Sequence, residues 1–163
     1  MPIGLMPELL DTLPHKRRLL ALDISKTAIG LALSNEGQTI ATPHIIINRK
    51  KFSKDIKALE KVISAYNIGG FVLGYPLNMD GSEGPRCDAI RSFADEMTNH
   101  PEIFEKNPWI LLWDERLSTF SANQFLIDTV DMSRAKRKNV EDKLAAQIIL
   151  QGALDYIQAN KAN

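Results

Sequence analysis

Read as apolar and polar positions, the chain settles into order with the run Leu19-Leu20-Ala21-Leu22, closed by Asp23-Ile24-Ser25. A continuous apolar run, without alternation, is the pattern of a strand buried on both faces. Ala28 to Ser34 predicts a second strand. Asn35-Glu36-Gly37-Gln38 reads as a hairpin loop, because Asn and Gly accept the positive φ of tight hairpins. A third strand is predicted from about Thr39 to Ile47. Its Pro43 has no N–H for a ladder, which puts at least part of the strand at a sheet edge. Three strands with short links predict an antiparallel meander.

Beyond Arg49-Lys50-Lys51 the period changes. Ile56, Leu59, Val62, Ile63 and Tyr66 recur at helical spacing, with Ser53 as the candidate N-cap and Gly69-Gly70 breaking the pattern. Phe71 to Gly74 is a short buried strand, and Tyr75 to Pro85 is a loop rich in Gly, Pro, Asn and Asp. Arg86 to Met97 is a helix with Ile90, Phe93, Ala94 and Met97 on one face. Trp109 to Trp113 is a further strand, ending in Asp114-Glu115-Arg116. A helix opens at Ser118 and runs through Ala122, Phe125 and Leu126. Asp131 to Asn139 interrupts the apolar pattern, and a last helix spans about Val140 to Ala159. Lys143, Gln147, Gln151, Asp155 and Gln158 form its polar stripe; the rest is nearly all apolar, so it should pack deep.

The order β-β-β-α-β-α-β-α-α predicts an α/β fold: one five-stranded mixed sheet, three antiparallel strands then parallel ones, flanked by helices. Residues 1–18, with Pro2, Pro7 and Pro14, read as an N-terminal extension packed on the domain edge, with one helical turn around Glu8 to Thr12. Residues 19–159 form a single domain and 160–163 a tail.

Composition narrows the function classes. A length of 163 residues suits one domain, and 44% hydrophobic with 25% charged residues is ordinary for a soluble protein. Lys plus Arg equal Asp plus Glu at 20 each, so any nucleic-acid binding must rest on local patches. Cys87 is alone, which excludes an internal disulfide and a cysteine zinc site. His15, His44 and His100 have no ligand spacing. No apolar run approaches the roughly 20 residues of a membrane helix, and the start lacks a basic n-region. A cytoplasmic location is expected.

In the predicted layout Asp23 and Glu115 lie at equivalent ends of two parallel strands. Three acids are therefore candidates for one site: Asp23, one of the Asp114–Glu115 pair, and Asp142 in the first turn of the last helix. Carboxylates of this kind could hold two hard cations, Mg²⁺ or Mn²⁺, for phosphodiester hydrolysis. The competing account of Asp142 is complementation of the helix dipole, and periodicity does not separate it from Glu141. Arg116, Arg134, Lys136, Arg137 and Lys138 cluster near these acids, either as a phosphate-binding loop or as a solvated one. The loop from Asn78 to Arg86 could cradle phosphate through backbone N–H groups and Arg86. It lacks the Walker spacing, and no Ser/His/Asp arrangement is present.

Four segments resemble the YqgF family, also called RuvX-like or Holliday-junction-resolvase-like. They are Leu20-Ala21-Leu22-Asp23 with Ile29 to Ser34; Gly74-Tyr75-Pro76-Leu77-Asn78-Met79-Asp80-Gly81-Ser82-Glu83-Gly84-Pro85; Asp114-Glu115-Arg116-Leu117-Ser118-Thr119; and Lys136-Arg137-Lys138 through Asp142-Lys143-Leu144-Ala145-Ala146 to Gln151. The resemblance implies an RNase H-like fold and a metal-dependent endonuclease, with Asp23, Glu115 and Asp142 as catalytic and metal-binding acids and two ions bound alongside substrate. Asn78, Arg86, Arg116, Arg134, Lys136, Arg137 and Lys138 are the candidate nucleic-acid contacts. The implied role is maturation of the 5′ end of pre-16S ribosomal RNA, with ribosomal particles as partners and the protein a monomer or homodimer. The alternatives are cleavage of branched DNA in recombination and a non-catalytic RNA- or ribosome-binding module. One departure stands out: Ser25 occupies a position where the family has glycine, which puts the turn after Asp23 in question.

Overall fold

The computed structural model describes residues 3–117 and 134–161; for Leu117 and residues 134–143 it describes the backbone alone. The strands are β1 (Ile3–Gly4), β2 (Arg18–Ile24), β3 (Ala28–Ser34), β4 (Ala41–Asn48), β5 (Ile68–Tyr75) and β6 (Trp109–Asp114). The helices are α1 (Phe52–Tyr66), α2 (Pro85–Thr98), the single turn α3 (Pro101–Phe104) and a C-terminal helix (Arg134–Ala159).

Among the described residues the sheet has six strands, not five, in the order β1-β6-β5-β2-β3-β4. The added strand comes from the N-terminal extension, where Ile3 and Gly4 pair parallel with Ile110 and Leu111. Two residues between prolines carry too little pattern to announce a strand; the pairing is supplied by the open edge of β6. The extension then forms the expected turn, a 3₁₀ helix at Glu8–Thr12, and the Leu9 carbonyl accepts from the Trp109 indole at 3.1 Å. The meander β2-β3-β4 is antiparallel, and β5 and β6 join β2 in parallel. Pro43 does lie on an edge strand, beside a register irregularity.

The two faces of β2 feed two cores. Leu20, Leu22 and Ile24 pack on the side of α1 and α2. Leu19 and Ala21 pack on the side of the C-terminal helix, with Ala146, Ile149, Leu150 and Ala153. This is the two-residue alternation of a strand whose faces are both covered.

Local corrections have physical causes. Helix α1 starts at Phe52, with Lys51 rather than Ser53 at its N-cap and no side-chain cap among the described residues; buried Asp55 of its first turn accepts from the Lys50 N–H at 3.0 Å and ties the preceding residue to the helix. It ends on Asn67 in the left-handed conformation, and Gly69 and Gly70 already belong to β5. Gly70 is needed for close packing, because a Cβ there would lie 2.8 Å from Trp109. The C-terminal helix includes Arg134–Ala159, so the stretch 134–139 is helical rather than a break. The helix expected from Ser118 to Leu126 lies outside the described residues. The glutamines of the polar stripe bind the entry to β4: Gln151 accepts from the Ala41 N–H at 2.9 Å and donates to the Thr39 carbonyl at 3.0 Å, and Gln147 donates to the Ala41 carbonyl. Among the described residues no helix is long and apolar enough to cross a membrane.

Candidate active site

Parallel register aligns the ends of three strands. Leu22 pairs with Leu73, Leu73 with Leu112, and Gly74 with Trp113. Asp23 therefore lies level with Gly74 at the C-terminal edge of the sheet, where open α/β sheets bind their ligands. By alternation it shares the face of Leu19 and Ala21, toward the C-terminal helix. Glu115 leaves the end of β6 as the first residue of a 3₁₀ turn, Glu115–Leu117.

Gly74 brings these pieces together. A Cβ at that position would collide with Glu115 Oε1 and lie 2.7 Å from Ile149 Cδ1. The missing side chain lets the Glu115 carboxyl and the C-terminal helix both press on the strand. Both acids are half-buried. Burial raises Glu115 from 4.5 to about 7; the Asp23 charge pushes in the same direction, Arg86 opposes it and Asp114 adds slightly. A carboxyl held up by burial and a second carboxylate is a group that a cation would stabilise in its charged form.

Adjacent Asp114 has a different environment. Arg116 Nε donates to it at 3.0 and 3.1 Å, Arg116 Nη2 donates at 2.7 Å and the Arg116 backbone N–H at 3.0 Å. The guanidinium holds the Asp114 carboxyl below its ordinary range. Sequence left open which of the two acids faces Asp23; the geometry places Glu115 there and turns Asp114 to the loop side.

That loop, residues 76–84, is tied down from both sides. Arg116 Nη1 donates to the carbonyls of Asn78 and Met79 at 3.4 and 3.3 Å. Expected as a phosphate contact, Arg116 thus spends several donors within the protein. Asn78 donates to Ser82 Oγ at 3.0 Å, and Gly81 adopts φ +87°, which only glycine takes readily. On the other side, Arg91 Nε donates to the Tyr75 hydroxyl at 2.6 Å and Arg91 Nη2 to Glu83 at 3.0 Å. Burial pushes the fully enclosed Tyr75 phenol up, so it stays protonated and donates to Glu83. Neither Gly74 nor this Tyr75–Glu83–Arg91 link is legible from residue types. Arg91 reads as an ordinary charged helix residue until its partners are known.

Ser25 settles the question of the turn. It is not among the described residues with positive φ, so the position does not require glycine here. Its hydroxyl donates to the Ala28 carbonyl at 3.0 Å and accepts from the Ala28 N–H at 3.1 Å, closing the β2–β3 turn. Arg86, in the first turn of α2, reaches Glu115 electrostatically. The side chains of Asp142, Arg134, Lys136, Arg137 and Lys138 lie outside the described residues, although their backbone is helical. Among the described residues no group of three His, Cys, Asp or Glu could hold a metal ion; the described site is the pair Asp23 and Glu115.

A sheet of this order, with paired acids at the ends of parallel strands, defines an RNase H-like α/β protein. The RuvC of T. thermophilus, solved in complex with a Holliday junction substrate, shares the fold: TM-score 0.54 at 10% identity, over 88% of this chain and 96% of that one. The family model described as "RuvX: Holliday junction resolvase" matches residues 17–156. A protein of Rhodospirillum rubrum named "Putative pre-16S rRNA nuclease" is 44% identical over 161 residues, 99% of this chain and 97% of its own. A protein of Paramagnetospirillum magneticum with the same name is 47% identical over 155 residues, 95% and 96% of the two chains. The chain belongs to the RuvX family and is a nuclease, a hydrolase of phosphodiester bonds.

Proposed function

We propose that this nuclease is a Mg²⁺- or Mn²⁺-dependent endonuclease that matures the 5′ end of pre-16S ribosomal RNA in the cytoplasm, with Asp23, Glu115 and Asp142 as its acidic site. The observation that carries the reading is the convergence of Asp23 and Glu115 over Gly74, with Glu115 raised to about 7. The RNA substrate follows from the names of the relatives matched along nearly their whole length.

Carboxylate oxygens are the donor set of hard divalent cations, and the mutual repulsion of two acids is what such a cation would relieve. The residues present therefore fit the group. Asp23 and Glu115 would hold it, and Asp142 would complete the set: it stands seven residues, two helical turns, before Ile149, so the helix carries both positions on one face. The ions, two with substrate bound, would supply Lewis acidity and a water ionised at neutral pH. In the reaction a water oxygen forms the new bond to phosphorus, and the bond from phosphorus to the leaving sugar oxygen breaks. Arg86 would hold a phosphate oxygen beside the acids, with Asn78, Arg116, Arg134, Lys136, Arg137 and Lys138 contacting the backbone farther out. The pinned loop at Asn78–Gly84 keeps that edge of the site in place.

The test is a side-by-side cleavage assay on a pre-16S leader RNA and a four-way DNA junction, with Mg²⁺ or with chelator. Expected is metal-dependent cleavage of the RNA, lost in Asp23→Asn and Asp142→Asn. Preferential cleavage of the junction, or full activity in either variant, overturns the corresponding part of the proposal.

A further inference from the structure

A cavity of about 770 Å³ opens at the same edge of the sheet, on the side of α1 and α2. Its lining begins one residue after Asp23, with Ile24, Ser25 and Lys26. Two further cations line it, Arg49 and Arg86, over an apolar wall that includes Phe52, Ile90 and Phe93. Glu96, the one acid among the described lining residues, lies ten residues from Arg86 on α2, about 15 Å along the helix. Arg86 belongs to both regions, because it lines the cavity and acts electrostatically on Glu115.

Arg49 is built into place. Its Nη1 donates to the Ser25 carbonyl at 2.9 Å, its Nε lies 3.7 Å from Asp55 Oδ2, and its guanidinium stands 5.7 Å from the centre of the Phe93 ring. Asp55 is 1% exposed, and its Oδ2 has no hydrogen-bond partner among the described residues. A buried carboxylate left this way is costly unless a cation offsets it, so it anchors Arg49 at the cavity wall. Nη2 of Arg49 makes no hydrogen bond among the described residues. A fixed guanidinium with a donor to spare has the geometry to donate to a phosphate oxygen.

We propose that this cavity is a nucleotide subsite of the substrate strand. Arg49 and Lys26 hold the phosphate next to the one at the acids, and the attached nucleoside rests against Phe52, Ile90 and Phe93. The proposal rests on the nuclease reading for its ligand. Charge complementarity and continuity through Arg86 indicate a nucleic-acid strand, which would cross the sheet edge from Glu115 to Arg49.

Binding in chelator tests it without requiring cleavage. The probe is a short fluorescent single-stranded RNA of leader sequence, read by anisotropy over a range of salt. Arg49→Gln should weaken binding about tenfold and flatten the dependence of log K on log salt by about one phosphate contact. Arg49→Lys should recover most of the salt dependence, and Lys57→Gln, on the exposed side of α1, should change neither. Lys26→Gln, at an exposed side chain whose loss does not threaten folding, should flatten the salt dependence too. Wild-type salt dependence in both Arg49→Gln and Lys26→Gln overturns the subsite, as does wild-type protein that fails to bind the RNA. In the first case a change of thermal stability alone in Arg49→Gln assigns Arg49 to the Ser25 turn. Binding that responds as expected, in a protein that cleaves neither RNA nor junction, leaves the subsite standing and removes the nuclease reading instead.

Discussion

The two sides of one sheet edge carry opposite chemistry. Toward the C-terminal helix, Asp23 and Glu115 converge where Gly74 has no side chain, and burial drives Glu115 up to about 7. Toward α1 and α2, Arg49, Lys26 and Arg86 surround an apolar-walled cavity. The zero net charge of the chain conceals this separation. Nucleic-acid recognition needs a local field and a local array of donors, and both can exist in a chain whose sum is neutral. Under the proposed function the two sides would have separate duties: the acid side would act on the reacting phosphate, and the cavity side would decide where the strand lies.

Substitutions can break that division. Asp23→Asn should lower single-turnover cleavage at least about a hundredfold, since it removes a proposed ion ligand rather than an outer partner. RNA binding in chelator should hold or tighten, because a negative charge is removed. Equal losses in both readouts would merge the two regions. Asp114→Asn acts one step away, by releasing Arg116 from Asp114 and from the carbonyls of the loop. A loss of about tenfold is expected, the scale for residues that position a site. If Asp114→Asn instead equals Glu115→Gln, the two acids share one duty.

The acid side should also declare itself in stability. In chelator, folded Glu115 keeps a proton that the unfolded chain releases near pH 4.5. Its contribution is therefore complete below about pH 4.5 and is lost as pH rises through 7, a drop of about 3 kcal/mol at most. Denaturant melts between these limits should show the slope in wild type and lose it in Glu115→Gln. Identical slopes would remove the burial account of Glu115. The smallest effect is expected at the junction of the two regions. Ser25→Ala gives up the two hydroxyl hydrogen bonds to Ala28 and should cost about 1 kcal/mol in the same melts. A glycine there should fold to the same turn, since the backbone does not use positive φ.

Much of the fold was legible because burial writes itself into periodicity. The uninterrupted apolar runs of β2 and β3, the helical spacing of α1 and the edge position of Pro43 all follow from which faces meet water. β1 was not legible, because two residues have no period and pair only when β6 offers an edge. The start of α1 is not legible at Ser53, because the helix opens on Lys51 without a side-chain cap and Asp55 binds the N–H of Lys50 ahead of it. In the last segment the basic run 134–138 has no apolar face to announce a helix, yet it continues the backbone of one.

Asp23 alone reads as readily as a turn residue, and it becomes a site candidate in sequence only beside a second acid at an equivalent strand end, Glu115. The sequence alone thus determined an α/β chain with acids at strand ends and a motif-bearing loop between them. The tertiary structure decided that Glu115, not Asp114, turns toward Asp23, that Gly74 makes the room, and that Arg49 joins Lys26 and Arg86 around one cavity. The reason is range. Periodicity reports which face of an element is buried, whereas convergence depends on strand register and on contacts between residues as distant as Arg49 and Phe93 or Gly74 and Ile149.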